Sequence, residues 1–160
     1  SLSQTDIRID DNPSVTVADI NAKCRRLDNL GLVVIDYLQL MSMGGYRIEQ
    51  REKEIAAITR SIKIMAKELE CAVVLLSQLS RGPEQRGGDH MPKLSDLRDS
   101  GAIEQDADTV IFLYRNEYYD EAAEKSAEVI ISKNRHGSAG TVKMGWIGQF
   151  TKFRTLEENI

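Results

Sequence analysis

Apolar positions fall into separate stripes and runs along the chain. The first stripe is Ile20, Cys24 and Leu27, spaced i, i+4, i+7, and it predicts a helix after Thr16. Thr16 is an N-cap residue, Asp19 completes an approximate capping box, and Val15 can staple the entry. Gly31 closes that region. Upstream, Ile7-Arg8-Ile9-Asp10 alternates like a short strand, and Asp11-Asn12-Pro13-Ser14 has turn chemistry. Leu32-Val33-Val34-Ile35 is a continuous apolar run, the pattern of a strand buried on both faces of a parallel sheet. A loop with Gly44-Gly45 follows. Ile55, Ile58, Ile62, Met65 and Leu69 recur at 3/4 spacing and predict a helix from Glu49 to Glu70. Cys71-Ala72-Val73-Val74-Leu75-Leu76 reads as a second buried strand. Strand, long helix and strand form a βαβ crossover, so these two strands are expected to be parallel.

Residues 79–101 are loop-rich, with Gly82-Pro83 and Gly87-Gly88 and a short helical turn that Ser95 caps, running through Arg98. Thr109-Val110-Ile111-Phe112-Leu113 is a third buried strand. Glu117 to Lys125 is acidic and carries tyrosines, as in an exposed loop or helix. Glu128 to Lys133 is a fourth strand. Past the turn Gly137-Ser138-Ala139-Gly140, Thr141 to Trp146 and Gln149 to Phe153 predict a terminal antiparallel pair. No internal repeat interrupts this order.

Composition narrows the class. The 160 residues are 41% hydrophobic and 29% charged, a globular balance of about one domain. No run approaches the roughly 18–20 apolar residues of a membrane span. The first residues show no signal-peptide pattern, and the missing initiator Met suggests a piece of a longer chain. Cys24 and Cys71 lie in apolar segments and read as reduced and structural. His90 and His136 have no partner at zinc-ligand spacing. The net charge of -4 argues against coating nucleic acid by bulk charge, yet leaves room for a local basic strip.

Four segments can carry chemistry. The strand 32–35 ends on Asp36, at the sheet edge where open α/β folds bind ligands, and such an Asp holds Mg²⁺ in many NTPases. It is otherwise a solvated strand end. Gln78 closes the second strand in the same manner, an amide able to bond a γ-phosphate or orient water, or simply one satisfied in its loop. The polar run from Ser95 to Asp108 contains Arg98 and Gly101, which suit phosphate through a guanidinium fork and close backbone approach. A solvated loop fits it as well. Lys133 and Arg135 stand at i, i+2 near a strand end and point to one side, toward one anionic target or into solvent.

Together and in this order, these segments resemble the hexameric DnaB-type replicative helicases with a RecA-like motor. Asp36-Tyr37-Leu38-Gln39-Leu40 resembles the family's Mg²⁺-binding strand end. Leu76-Ser77-Gln78-Leu79-Ser80-Arg81 resembles its γ-phosphate-sensor segment. Ser95 to Asp108 resembles its DNA-contacting loop, and Lys133-Asn134-Arg135 its trans-acting basic finger. Ala22-Lys23-Cys24-Arg25-Arg26-Leu27 and Ile58-Thr59-Arg60-Ser61 match as well, so the likeness covers about residues 7–157. It implies an α/β, RecA-like P-loop NTPase core. Its sheet would be mostly parallel with flanking helices and a C-terminal antiparallel pair, without the N-terminal phosphate-loop portion. Residues 1–160 would be the C-terminal portion of the helicase ATPase domain.

The resemblance assigns Asp36 to Mg²⁺ and Gln78 to the γ-phosphate. Arg98, Asp99 and Gly101 would contact single-stranded DNA, with Asp99 positioning the loop and Arg81 assisting. Lys133 and Arg135 would reach the ATP of an adjacent subunit. It further implies ATP and Mg²⁺ as cofactors, a homo-hexamer, primase and a helicase loader as partners, and a cytoplasmic location. Asn134 and His136 depart from the family's more usual Gln and Asn, and the Arg86–His90 loop is less basic than usual. No G-x-x-x-x-G-K-[ST] motif occurs in the chain. Isolated, such a chain is expected to lack ATPase activity. A recombination or repair ATPase of RecA type, and a non-catalytic assembly module, are the competing readings.

Overall fold

The computed structural model describes residues 4–44, 51–97, 100–120 and 124–156. The chain divides into two compact units, 1–76 and 77–160.

In the first unit, helix α1 (Val17–Cys24) opens on the expected capping box. The Asp19 amide donates to Thr16 Oγ1 at 3.2 Å, and the Thr16 amide donates to Asp19 Oδ2 at 3.1 Å. The helix is shorter than its stripe and ends before Leu27. Strand β1 (Leu32–Ile35) pairs in parallel with β2 (Ala72–Leu75), Leu32 opposite Ala72 and Ile35 opposite Leu75. Helix α2 (Arg51–Glu68) is the crossover, and it buries Ile55, Ile58, Ile62 and Met65 as the 3/4 spacing requires. Glu68 ties it to α1, accepting from Arg25 Nη2 at 2.8 Å and Asn21 Nδ2 at 3.0 Å.

Two expectations fail in this unit. The β1–β2 ribbon is not buried on both faces: Ile35 is buried, whereas Leu32 and Val34 are 52% and 57% exposed. A continuous apolar run supplies both faces with apolar groups, but among the described residues only one face gains a covering layer. Ile7 to Asp10 forms no strand. It has no ladder partner, and Asp10 instead takes an ion pair from Lys23 at 2.5 Å.

The second unit contains α3 (Gly82–Gln85), α4 (Ser100–Asp106), β3 (Thr109–Tyr114), β4 (Ser126–Asn134), β5 (Gly140–Ile147) and β6 (Lys152–Arg154). The strands form one antiparallel sheet in the order β3-β4-β5-β6. Antiparallel pairing therefore extends beyond the terminal pair to β3 and β4. Burial on β3 alternates accordingly, with Val110 and Phe112 buried and Ile111 and Leu113 exposed. Val110 faces Lys133 but Ile111 faces Ile131, so Ser132 is an extra residue that bulges β4. The turn at 94–96 is capped by Asp96 rather than Ser95: Asp96 Oδ2 accepts from the Lys93 amide at 2.7 Å.

Candidate functional site

Asp36 directly follows β1 and is exposed. The parallel ladder continues past β2, with the Leu76 amide donating to Ile35 O and the Leu38 amide to Leu76 O, both at 2.9 Å. Buried Leu38 and Met41 anchor the chain just beyond Asp36, so the carboxylate stands on a fixed strand end. Mg²⁺ is held by one or two carboxylates together with substrate phosphates and water, so a single exposed Asp at this edge fits that ion. Among the described residues no group of three or more His, Cys, Asp or Glu makes a metal cage. Gln78 lies in the second unit, exposed, three residues beyond β2.

The segment that leads to the predicted DNA loop is held by buried Asp96. Its carboxylate accepts from Arg86 Nη2 at 2.6 Å, and its main-chain oxygen accepts from the Ser80 amide at 2.8 Å. Leu79 and Leu97 form a β-bridge beside it. Arg81 is exposed at the start of α3. Arg98 and Asp99 lie outside the described residues. Gly101 is exposed in the first turn of α4, and a Cβ added there would meet nothing within 4 Å.

The cations at and just past the end of the fourth strand are placed in more detail. Lys133 Nζ donates to Glu104 O, and Arg135 Nη2 donates to Gln105 O at 2.5 Å. Both therefore reach the carboxyl end of α4, Lys133 from within β4 and Arg135 from the turn that directly follows it, where strand alternation no longer sets its side. Last-turn carbonyls lack helical partners, and the helix dipole favours cations there. Arg135 also lies 3.5 Å from Asp108 Oδ1.

The same unit holds an aromatic depression of about 470 Å³ that the sequence pattern does not predict. His90 stacks on Tyr119 with ring centres 4.2 Å apart, and Arg115 lies 4.6 Å over the Trp146 ring. Burial holds the Tyr114 and Tyr119 hydroxyls above the usual phenol range. The available signal in the sequence is the cluster of Tyr114, Tyr118 and Tyr119, inside or beside a stretch whose acidity points to exposure. Flat walls with a cation above one of them suit a planar group.

A family model described as the DnaB-like helicase C-terminal domain matches residues 1–155. The chain belongs to that family. It is 52% identical over 162 residues to the replicative DNA helicase DnaB of Geobacillus stearothermophilus, a match covering 98% of this chain and 36% of that protein. Likewise it is 49% identical to the replicative DNA helicase DnaC of Bacillus subtilis, with the same coverage. Among solved structures, a DnaB-like replicative helicase studied for its interactions with primase matches at TM-score 0.88 and 42% identity, covering 98% of this chain and 38% of that one. This DnaB-like chain thus spans about a third of the length of the curated relatives it matches. The fold inferred from motif order is the fold this DnaB-like neighbour carries. No helix among its described residues is long and apolar enough to cross a membrane.

Proposed function

We propose that this chain is the C-terminal portion, residues 1–160, of the motor domain of a replicative DNA helicase. The parent protein couples ATP hydrolysis to translocation on single-stranded DNA and to duplex unwinding. The observation that carries the reading is the paired presentation of Lys133 and Arg135 at the end of a bulged strand and in the turn after it, in a chain of the DnaB-like family. In this reading Asp36 is a ligand of Mg²⁺ beside the nucleotide, and Gln78 bonds the γ-phosphate. Mg²⁺, when bound, neutralises phosphate charge. Lys133 and Arg135 act on the ATP of the adjacent subunit in a homo-hexamer, stabilising charge that develops on the γ-phosphate. Arg98 contacts the DNA backbone by charge and Gly101 by main chain, while Asp99 sets the loop and Arg81 assists. Primase and a loader are the partner proteins, and the cytoplasm is the compartment.

The test is Arg135→Ala in the full-length protein that carries this segment. Loss of a finger supplied in trans lowers turnover by about 10³-fold or more, with nucleotide affinity largely retained. Equal loss of nucleotide binding, or unchanged turnover, contradicts the assignment. The pure 160-residue chain, lacking a phosphate loop in its sequence, is expected to show no ATPase above background. Turnover there would sink that part of the proposal.

A further inference from the structure

We propose that Asp108 is the positioning residue of Arg135, and that with the last carbonyls of α4 it presets the Lys133–Arg135 pair. This rests on the finger reading above and adds to it the group that aims the finger. Asp108 holds Arg135 at both ends. The Arg135 amide donates to Asp108 O at 2.9 Å, and the guanidinium Nη1 lies 3.5 Å from Asp108 Oδ1. Gln105 O takes Nη2, and Glu104 O takes Lys133 Nζ. The bulge at Ser132 falls immediately before this pair, where it re-aims the strand end.

The pair is held without being consumed. The Arg135 and Asp108 side chains are 46% and 45% exposed, so the ion pair stays open to solvent. A guanidinium carries five N–H donors, and its contacts with Gln105 and Asp108 occupy only part of that fork. The remaining donors can meet a phosphate oxygen while the first contacts persist. A long side chain ordinarily loses rotamer freedom when it engages an anion. Here Asp108 and the end of α4 have already removed that freedom. Loss of Asp108 therefore lowers the rate at the neighbouring nucleotide and leaves nucleotide binding by the same subunit unchanged.

The experiment compares Asp108→Asn, Asp108→Glu, Arg135→Ala and the double variant Asp108→Asn/Arg135→Ala in the full-length helicase. ATPase kcat and KM are measured on assembled protein. We expect Asp108→Asn to lower kcat about three- to fivefold, the scale a half-exposed ion pair supports, with KM within about twofold. Asp108→Glu restores most of the rate. Asp108→Asn adds nothing to Arg135→Ala, because the residue acts through the arginine. Unchanged kcat in Asp108→Asn overturns the proposal, as does the same fold-loss in the Arg135→Ala background. Wild-type turnover in Arg135→Ala instead overturns the finger reading itself, which separates the two failures. Where Asp108→Asn assembles poorly, Asp108→Ser carries the same expectations at the same position.

Discussion

Asp96→Ala removes the anchor of the segment that leads into the predicted DNA loop. Asp96 is 5% exposed, and its carboxylate takes two hydrogen bonds, from Arg86 Nη2 at 2.6 Å and the Lys93 amide at 2.7 Å. Charge-assisted hydrogen bonds are worth roughly 1.5–3 kcal/mol each, and orphaning one partner of a buried pair costs about 3–5 kcal/mol. Two features reduce that cost. The Arg86 side chain is 30% exposed, and it keeps a bond to Met91 O at 2.9 Å. A local penalty of about 2–3 kcal/mol remains, equivalent to a roughly 30- to 150-fold rise in opening of this segment. Amide hydrogen exchange of the full-length protein reads it directly. Protection of the Ser80 and Lys93 amides should fall by that factor, while β4 and β5 stay protected. Asp96→Asn, which keeps the shape and loses the charge, should show an intermediate effect. A change below about threefold at Ser80 and Lys93 would refute the anchoring role, and uniform loss across the sheet would show that Asp96 supports the whole unit rather than this segment.

Other expectations follow from single positions. Gly101→Ala puts a Cβ into open space and removes a helix glycine, so stability should hold or rise by up to about 1 kcal/mol. If the Gly101 main chain lies against DNA, single-strand affinity should fall about three- to tenfold, and unchanged affinity in a binding titration would contradict that contact. The hydrogen bonds from Asn21, and then Arg25, hold the Glu68 carboxyl below its ordinary value of 4.5. A depressed carboxyl contributes stability that is complete above the ordinary value and is lost as pH falls through the folded value. The α1–α2 tie should therefore persist at neutral pH and loosen only under acid, below 4.5, and Glu68→Gln should abolish that acid step. An NMR titration placing the Glu68 carboxyl at or above 4.5 would count against it.

Much of this architecture is legible because local chemistry and packing agree. Helix α2 shows its buried face as Ile55, Ile58, Ile62 and Met65, and α1 announces its start through Thr16 and Asp19. Parallel pairing of β1 and β2 follows from the length of the crossover between them. The antiparallel partnership of β3 is hidden, since Val110 to Leu113 is apolar at every position and shows no face. The signal is the short connection from Tyr114 to Ser126, too brief for a helical crossover back to a parallel neighbour. Exposure of Leu32 and Val34 cannot be read either, because burial of an apolar strand depends on layers that the strand itself does not encode. At the site, the closeness of Lys133 and Arg135 in sequence is plain, but the i, i+2 rule does not fix their common side, because Arg135 falls in the turn after β4. Their partners do not follow from the sequence: Glu104 and Gln105 take part through main-chain oxygens, which carry no residue signature. Asp96 looks like one solvated acid among several, and only the fold brings Arg86 and the Ser80 amide to it.

The trans role of Lys133 and Arg135 is tested most directly by mixing two inactive full-length variants, Asp36→Ala and Arg135→Ala. Head-to-tail contacts in a ring place a different patch of each neighbour at every interface. With the finger in trans, an interface that joins an intact Asp36 from one subunit to an intact Arg135 from the next is competent. Statistical mixing then restores DNA-independent ATPase toward about a quarter of the wild-type rate. Mixed rings that form but stay as inactive as either parent would contradict the assignment.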